Sequence, residues 1–96
     1  MKLEWKLFAD LKEYAGGGRV TVEVEDGATV GDALAALVEG NSGLDGRVFD
    51  ENGEVYDHVN VLRNGKNVET AGDGIGTTVE ERDELALFPP VSGGAA

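Results

Sequence analysis

The sequence of 96 residues predicts a single α+β domain in which one main helix packs across a mixed β-sheet. Three observations support this prediction. Apolar and polar residues alternate near both ends of the chain, an apolar stripe of helical spacing lies between them, and glycine-containing turns separate the segments. We expect the domain to span residues 1–88 and residues 89–96 to form an extended, flexible tail.

The N-terminal part of the chain predicts a β-hairpin. In residues 3–8 the side chains of Leu3, Trp5 and Leu7 share one face, which is the period of a half-buried strand. Residues 9–15 are too few for an independent helix and end at three glycines, so we expect one helical turn and then a loop. Residues 19–25 alternate valines with polar residues and predict the second strand.

One longer helix is predicted in the middle of the chain. Thr29 is a suitable N-cap residue, and Asp32 lies three positions later, beside the positive end of the helix dipole. The helix is expected to end before Gly40. Its apolar stripe has the spacing i, i+4, i+7 and i+8 and consists of Val30, Leu34, Leu37 and Val38.

The second half of the chain predicts short strands and turns. The candidate strands are residues 47–49, 59–63 and 84–88. Tight turns are predicted at residues 52–53 and 64–65, both Asn-Gly, and the second of these is the stronger hairpin signal. The polar, glycine-rich residues 69–78 predict a mobile loop.

The order of these elements favours one arrangement of the sheet. If the first and last strands lie side by side and parallel, the two most apolar segments are both buried. A β-grasp fold meets this description. Ferredoxin-like and other small α+β folds use similar elements, so the spacing alone leaves them open.

Composition excludes several classes of function. The net charge of −11, from 19 acidic and 8 basic residues, would repel a nucleic-acid backbone. The chain has no cysteine for thiol chemistry, no apolar stretch that could span a membrane and no signal-peptide pattern, so a cytoplasmic location is expected. Acidic residues spread through the chain predict a solvated surface, consistent with a salt-loving source.

The C-terminal tail is the strongest candidate for function. The two prolines after Phe88 cannot continue a β-ladder, so the chain must leave the sheet there. Residues 89–94 could project roughly 20 Å, and the two glycines would let the backbone enter a narrow channel. The tail consists of Pro89, Pro90, Val91, Ser92, Gly93, Gly94, Ala95 and Ala96.

Residues 88–94, with the sequence FPPVSGG, closely resemble the C-terminal motif of the small subunit of molybdopterin synthase and of the ubiquitin-like small archaeal modifier proteins. The similarity to haloarchaeal members of this family covers nearly the whole chain. It extends through residues 7–11, 15–16, 28–34 and 58–65.

This resemblance implies a protein modifier and sulfur carrier, not an enzyme. Gly94 would be adenylated by a ubiquitin-activating-type enzyme, and Gly93 would give access to it. ATP would be used by that partner, with no cofactor bound to the chain itself. The activated end would form a thiocarboxylate for the large subunit of molybdopterin synthase, or an isopeptide bond to lysines of target proteins.

The two alanines after Gly94 depart from the family pattern, since synthase subunits normally end at the second glycine. Ala95 and Ala96 are either removed by a processing peptidase or are remnants of a cloning site. The resemblance implies a processing or deconjugating metalloprotease as a further partner.

Other candidate sites are weaker. His58 is the only histidine, so a metal site would otherwise need carboxylates alone. The glycines at residues 16–18 lack the lysine of a phosphate loop. A weak calcium site and a solvated acidic loop are both compatible with Asp50, Glu51, Glu54 and Asp57, and the loop is favoured. Core or rim positions are expected for the aromatic residues Trp5, Phe8 and Tyr14.

Two functions remain open on these grounds: a covalent sulfur carrier and modifier, or a non-covalent β-grasp interaction module that binds partners through its sheet.

Overall fold

The computed structural model describes residues 1–56 and 59–88. Within them, five strands form one sheet: β1 (Lys2–Leu7), β2 (Arg19–Glu23), β3 (Asn60–Arg63), β4 (Lys66–Asn67) and β5 (Glu84–Phe88). The helices are α1 (Leu11–Tyr14), α2 (Val30–Gly40), α3 (Asp45–Val48) and α4 (Val68–Ala71), with 3₁₀ turns at Ser42–Leu44 and Gly74–Gly76.

The sheet has the strand order β2-β1-β5-β3-β4. β1 and β5 lie parallel at its centre, with Trp5 beside Leu85 and Leu7 beside Leu87. The other three pairs are antiparallel. This is the predicted mixed sheet of the β-grasp fold, and the first and last strands are adjacent because their pairing buries the two most apolar segments.

The core lies between the sheet and α2. Leu3, Trp5 and Leu7 are all buried, as their alternation predicts. The Trp5 side chain is fully buried, and its indole N–H donates to the Ala33 carbonyl of α2 at 3.1 Å. This bond satisfies the polar atom of the largest core residue and links the central strand to the helix.

Helix α2 begins as predicted. The Thr29 hydroxyl accepts a hydrogen bond from the Asp32 N–H, and the Asp32 carboxylate accepts one from the Thr29 N–H, which together form a capping box. All four residues of the predicted apolar stripe are buried. The helix includes Gly40, one residue beyond the predicted end.

The prediction of a strand at residues 47–49 was wrong. Residues Asp45–Val48 form a helical turn, closed by the Phe49 N–H, which donates to the Asp45 carbonyl at 3.1 Å. Leu44 and Val48 are both fully buried, and the helical turn places them about 6 Å apart along its axis, whereas a strand would separate them by about 13 Å. Only Phe49 is extended, and it forms an isolated bridge with Val55 across the predicted Asn-Gly turn.

The prediction of a mobile loop over residues 69–78 did not foresee the regular structure in this segment. One turn of helix, Val68–Ala71, and the 3₁₀ turn Gly74–Gly76 occupy much of it. The Thr77 carbonyl accepts a hydrogen bond from the Val30 N–H at 2.8 Å, so the segment is attached to the start of α2. The hairpin at residues 64–65 is confirmed, with both residues at positive φ.

Candidate functional site

The sheet face opposite α2 presents the side chains that alternate with the core residues. On β5, Leu85 and Leu87 are buried, so Glu84, Ala86 and Phe88 lie on the other face. The register of the central strands places the open-face residues of β1, β3 and β5 next to one another. This face therefore leads directly to the end of β5, where the predicted tail begins.

Two phenylalanines stack at this end of the sheet. Their ring centroids are 4.1 Å apart and their planes differ by 5°. Phe88 is the last residue of β5 and Phe8 follows β1, and the Phe8 N–H donates to the Leu87 carbonyl at 3.3 Å. Phe8 keeps 38% of its surface exposed, which is high for a large apolar residue.

The stack belongs to a larger apolar surface. Leu62 of β3 lies opposite Ala86 of β5, on the same face as Phe88, and both residues are half-buried. We call Phe8, Leu62, Ala86 and Phe88 the phenylalanine patch. An exposed apolar surface on a small domain is typical of a site for protein partners.

Two ion pairs lie on the same side of the sheet as this patch, and Lys6 is adjacent to Ala86 in the register. Lys6 Nζ lies 3.6 Å from Glu84 Oε1, and Arg19 lies 3.9 Å from Glu4. Both pairs are exposed and contribute little to stability. For a partner, the Lys6–Glu84 pair supplies polar contacts of both charges at one edge of the apolar surface.

Asp83 organises the opposite end of β5. Its carboxylate accepts hydrogen bonds from Arg63 Nε at 2.7 Å, Asn64 Nδ2 at 2.9 Å and the Glu80 N–H at 2.7 Å. Burial by itself raises the pKa of Asp83, but the bonds from Asn64, Glu80 and Arg63 outweigh it, so the pKa lies below its ordinary value. The group is structural, since it ties β3 to the turn before β5.

The structure describes only one residue of the predicted tail motif, Phe88. Gly94, predicted to react, and Gly93, predicted to give access, lie outside the described residues, as do the other members of the motif, Pro89, Pro90, Val91 and Ser92. His58 and Asp57 also lie outside them. Asp50 has a local structural role, because its Oδ1 accepts hydrogen bonds from the N–H groups of Asn52 and Glu54.

Sequence reasoning did not single out the pairing of Phe8 with Phe88. The sequence contained a signal for it. Phe8 directly follows Leu7 and Phe88 directly follows Leu87, so each phenylalanine falls on the opposite side of the alternation from a core leucine. Both phenylalanines are therefore expected on the solvent side of their strands. Their contact depended on the parallel register of β1 and β5.

The described residues contain no helix long and apolar enough to cross a membrane. The sequence profile of the ThiS family matches residues 5–94.

The chain belongs to the ThiS family. Its relatives include small archaeal modifier protein 1 of Haloferax volcanii, which is 56% identical over 92 residues, covering 96% of this chain and 100% of the relative. The crystal structure of SAMP1 from Haloferax volcanii superposes with a TM-score of 0.89 at 55% identity, covering 98% of this chain and 100% of that one. The Haloferax relatives agree with the salt-loving source that the acidic composition predicts.

A further structural relative of this ThiS-family chain occurs in a complex. The Amycolatopsis orientalis BexX/CysO complex contains a chain that matches with a TM-score of 0.78 at 26% identity, covering 96% of this chain and 99% of that one. The β-grasp prediction is thus confirmed by topology and by superposition.

Proposed function

We propose that this chain is a ubiquitin-like protein modifier and sulfur carrier whose reactive group is the carboxylate of Gly94. The observation that carries the proposal is the extent of the ThiS-family match, which covers the sheet, the helix and the tail as far as residue 94. The high identity to a relative named as a modifier supports the same function.

The chemistry requires an activated acyl group. One oxygen of the Gly94 carboxylate would attack the α-phosphorus of ATP, and the bond to the β-phosphate would break and release pyrophosphate. The resulting acyl adenylate is reactive because AMP is a good leaving group. Attack by sulfide at the carbonyl carbon would release AMP and leave a thiocarboxylate, whereas attack by a lysine amine would release AMP and leave an isopeptide bond.

The adenylating enzyme would bind ATP, and this chain would supply the acyl group. The phenylalanine patch is suited to hold that enzyme, since it is apolar, exposed and placed at the last residue before the tail. The stack of Phe8 on Phe88 fixes the position of the last described residue before the predicted tail. The BexX/CysO complex supports binding to a partner protein, because it contains a structural relative of this chain.

The proposed acceptors are of two kinds. A thiocarboxylate would donate sulfur in the large subunit of molybdopterin synthase, and an isopeptide would mark lysines of target proteins. A metalloprotease would release the modifier from conjugates or remove Ala95 and Ala96.

Three proteins test the proposal: the chain ending at Ala96, a chain ending at Gly94, and the same shortened chain with Gly94→Ala. Each is incubated with ATP and the cognate activating enzyme, and pyrophosphate release is measured. We expect release only with the second protein. Two extra residues move the terminal carboxylate by roughly 7 Å, and misplacement by about 1 Å can cost on the order of 100-fold in rate.

Equal turnover by all three proteins would show that Gly94 is not the reacting residue. The alternative function, a non-covalent β-grasp interaction module, would then be favoured. Intact-mass measurement of the second protein after addition of sulfide gives an independent readout, because a thiocarboxylate replaces one oxygen by sulfur.

A further inference from the structure

An open groove of about 820 Å³ lies on the α2 side of the domain, away from the phenylalanine patch. Its walls come from the first half of α2, the 3₁₀ turn Gly74–Gly76 and the turn at residues 49–53. A groove of this size on a small domain admits a short peptide segment with one or two apolar anchors.

Part of the groove's lining is apolar. It consists of Ala35, Phe49 and Ile75, and Ile75 is 39% exposed. Among the described residues two other large apolar side chains are exposed to a similar extent, and each has a partner: Phe8 stacks on Phe88, and Tyr14 lies under the Arg47 guanidinium at 4.5 Å. The outer surface of Ile75 faces the groove without such a cover.

Close contacts with α2 fix the position of the 3₁₀ turn that forms one side of the groove. A Cβ atom added at Gly31 would lie 3.3 Å from the Ile75 carbonyl oxygen and 3.5 Å from its side chain, so glycine lets the 3₁₀ turn approach the helix. The bridge between Thr29 and Thr78 anchors the same segment. These contacts position Ile75 before any ligand binds, which lowers the entropic cost of binding.

The charged residues of the lining are all acidic. They are Asp32, Asp45, Asp50 and Glu51, and the lining contains neither lysine nor arginine. Asp32 and Asp50 accept backbone hydrogen bonds, whereas no described contact engages the carboxylates of Asp45 and Glu51. By contrast, the ion pairs of the described residues lie on or beside the sheet, as in Lys6 with Glu84.

We propose that this groove binds a segment of a partner protein in which an aliphatic anchor is flanked by lysine or arginine residues. The anchor would contact Ile75 and Phe49, and the cations would pair with Asp45 and Glu51. Because the groove and the phenylalanine patch are on opposite sides of the sheet, one domain can bind both partners together. The inference does not depend on activation of Gly94.

A labelled peptide tests this proposal. The probe is fluorescein-labelled KRKILKRK amide, and binding is followed by fluorescence anisotropy in about 1 M NaCl, where the Debye length is about 3 Å. At this ionic strength the general attraction of a basic peptide to an acidic chain is screened, and only contacts at close range remain. Amide shifts in nuclear magnetic resonance spectra locate the bound peptide.

We expect saturable binding with shifts at Ala35 and Ile75. Ile75→Ser should weaken binding roughly 10-fold, since it removes an exposed apolar contact. The double change Asp45→Asn with Glu51→Gln should weaken it about 5-fold, in the range of partly screened ion pairs. A peptide with serines in place of Ile-Leu should bind roughly 10-fold more weakly.

The matched control is Glu23→Gln with Glu81→Gln, which makes the same change of charge at exposed positions outside the groove. It should alter the dissociation constant less than twofold. An equal loss in both double variants, shifts confined to other surfaces, or no saturation would overturn the proposal. So would a doubling of mass that Ile75→Ser abolishes, because a second copy of the chain would then cover the groove.

Discussion

Phe8 and Phe88 stack with their ring centroids 4.1 Å apart, and this contact joins the end of β1 to the last described residue of β5. Aromatic pairs of this kind contribute about 0.5–1.5 kcal/mol beyond the burial of their surface. The stack therefore fixes the end of β5 against the residue that follows β1, and it does so on an exposed face where a partner can reach it.

Replacing Phe8 by alanine should weaken docking of the activating enzyme more than it slows the chemistry. We expect the carrier concentration at half-maximal pyrophosphate release to rise roughly 10-fold, equivalent to about 1.4 kcal/mol, with a smaller change in kcat. The assay uses the chain ending at Gly94. Unfolding by urea should show a loss of about 1 kcal/mol in stability.

Tyr14→Ala is the matched control, because Tyr14 has almost the same exposure as Phe8 but pairs with Arg47 elsewhere on the surface. This variant should leave the carrier concentration at half-maximal pyrophosphate release unchanged. If both variants raise this concentration equally, the phenylalanine patch is not the docking site.

Acid should destabilise the fold through Asp83. Its pKa is lowered in the folded chain, since hydrogen bonds and the Arg63 charge outweigh the effect of burial. The unfolded chain therefore binds the proton more readily. The stability from this group is fully present above the unfolded pKa of about 3.9 and is lost as pH falls through that value toward the folded pKa.

Asp83→Asn should cost about 1–3 kcal/mol at neutral pH, because it loses charge-assisted hydrogen bonds. It should also flatten the dependence of unfolding free energy on pH in the acid range. Glu81→Gln, at an exposed position in the same turn, should change neither quantity. A wild-type slope in the Asp83→Asn protein would rule out this role.

Arg82 has a φ of +76°, a left-handed conformation that an L-residue with a Cβ atom rarely adopts. Arg82→Gly should therefore be more stable than Arg82→Ala by roughly 1 kcal/mol, despite the greater flexibility of glycine in the unfolded chain. Both variants remove the same charge, so the comparison isolates the backbone. Equal midpoints of urea unfolding for the two variants would refute the prediction that the left-handed backbone at residue 82 favours glycine.

Salt should stabilise the chain. With a net charge of −11, repulsion between carboxylates opposes the compact state, and ions screen it. We expect the melting temperature to rise steadily from about 0.1 M to about 2 M KCl, over which the Debye length falls from about 10 Å to less than 3 Å. A melting temperature independent of salt would contradict the expectation.

Elements with a clear local period were predictable. Leu3, Trp5 and Leu7 alternate over a whole strand, and Thr29 with Asp32 marks the start of a helix that the structure contains with the same cap. The alternation of β1 repeats over a whole strand, and the cap is followed by an apolar stripe that repeats along the helix. A pattern that repeats is hard to satisfy with another secondary structure, so tertiary packing had little influence on the type of these elements.

Short segments were decided by packing instead. Residues 47–49 have side chains that favour strands, yet burial of Leu44 and Val48 on one side selected a helical turn. The 3₁₀ turn around Ile75 likewise depends on its fit against Gly31, far away in the sequence.

The sequence by itself determined the hairpin, the capped helix, the acid excess and the tail motif that resembles a family of modifiers. Only the tertiary structure brought Phe8 to Phe88 and set Asp45 and Glu51 around the surface of Ile75. The physical reason is that periodicity reports which side of an element is apolar. Which elements come into contact depends on the register of the strands and on the closure of long loops. Both are decided by the packing of the whole core.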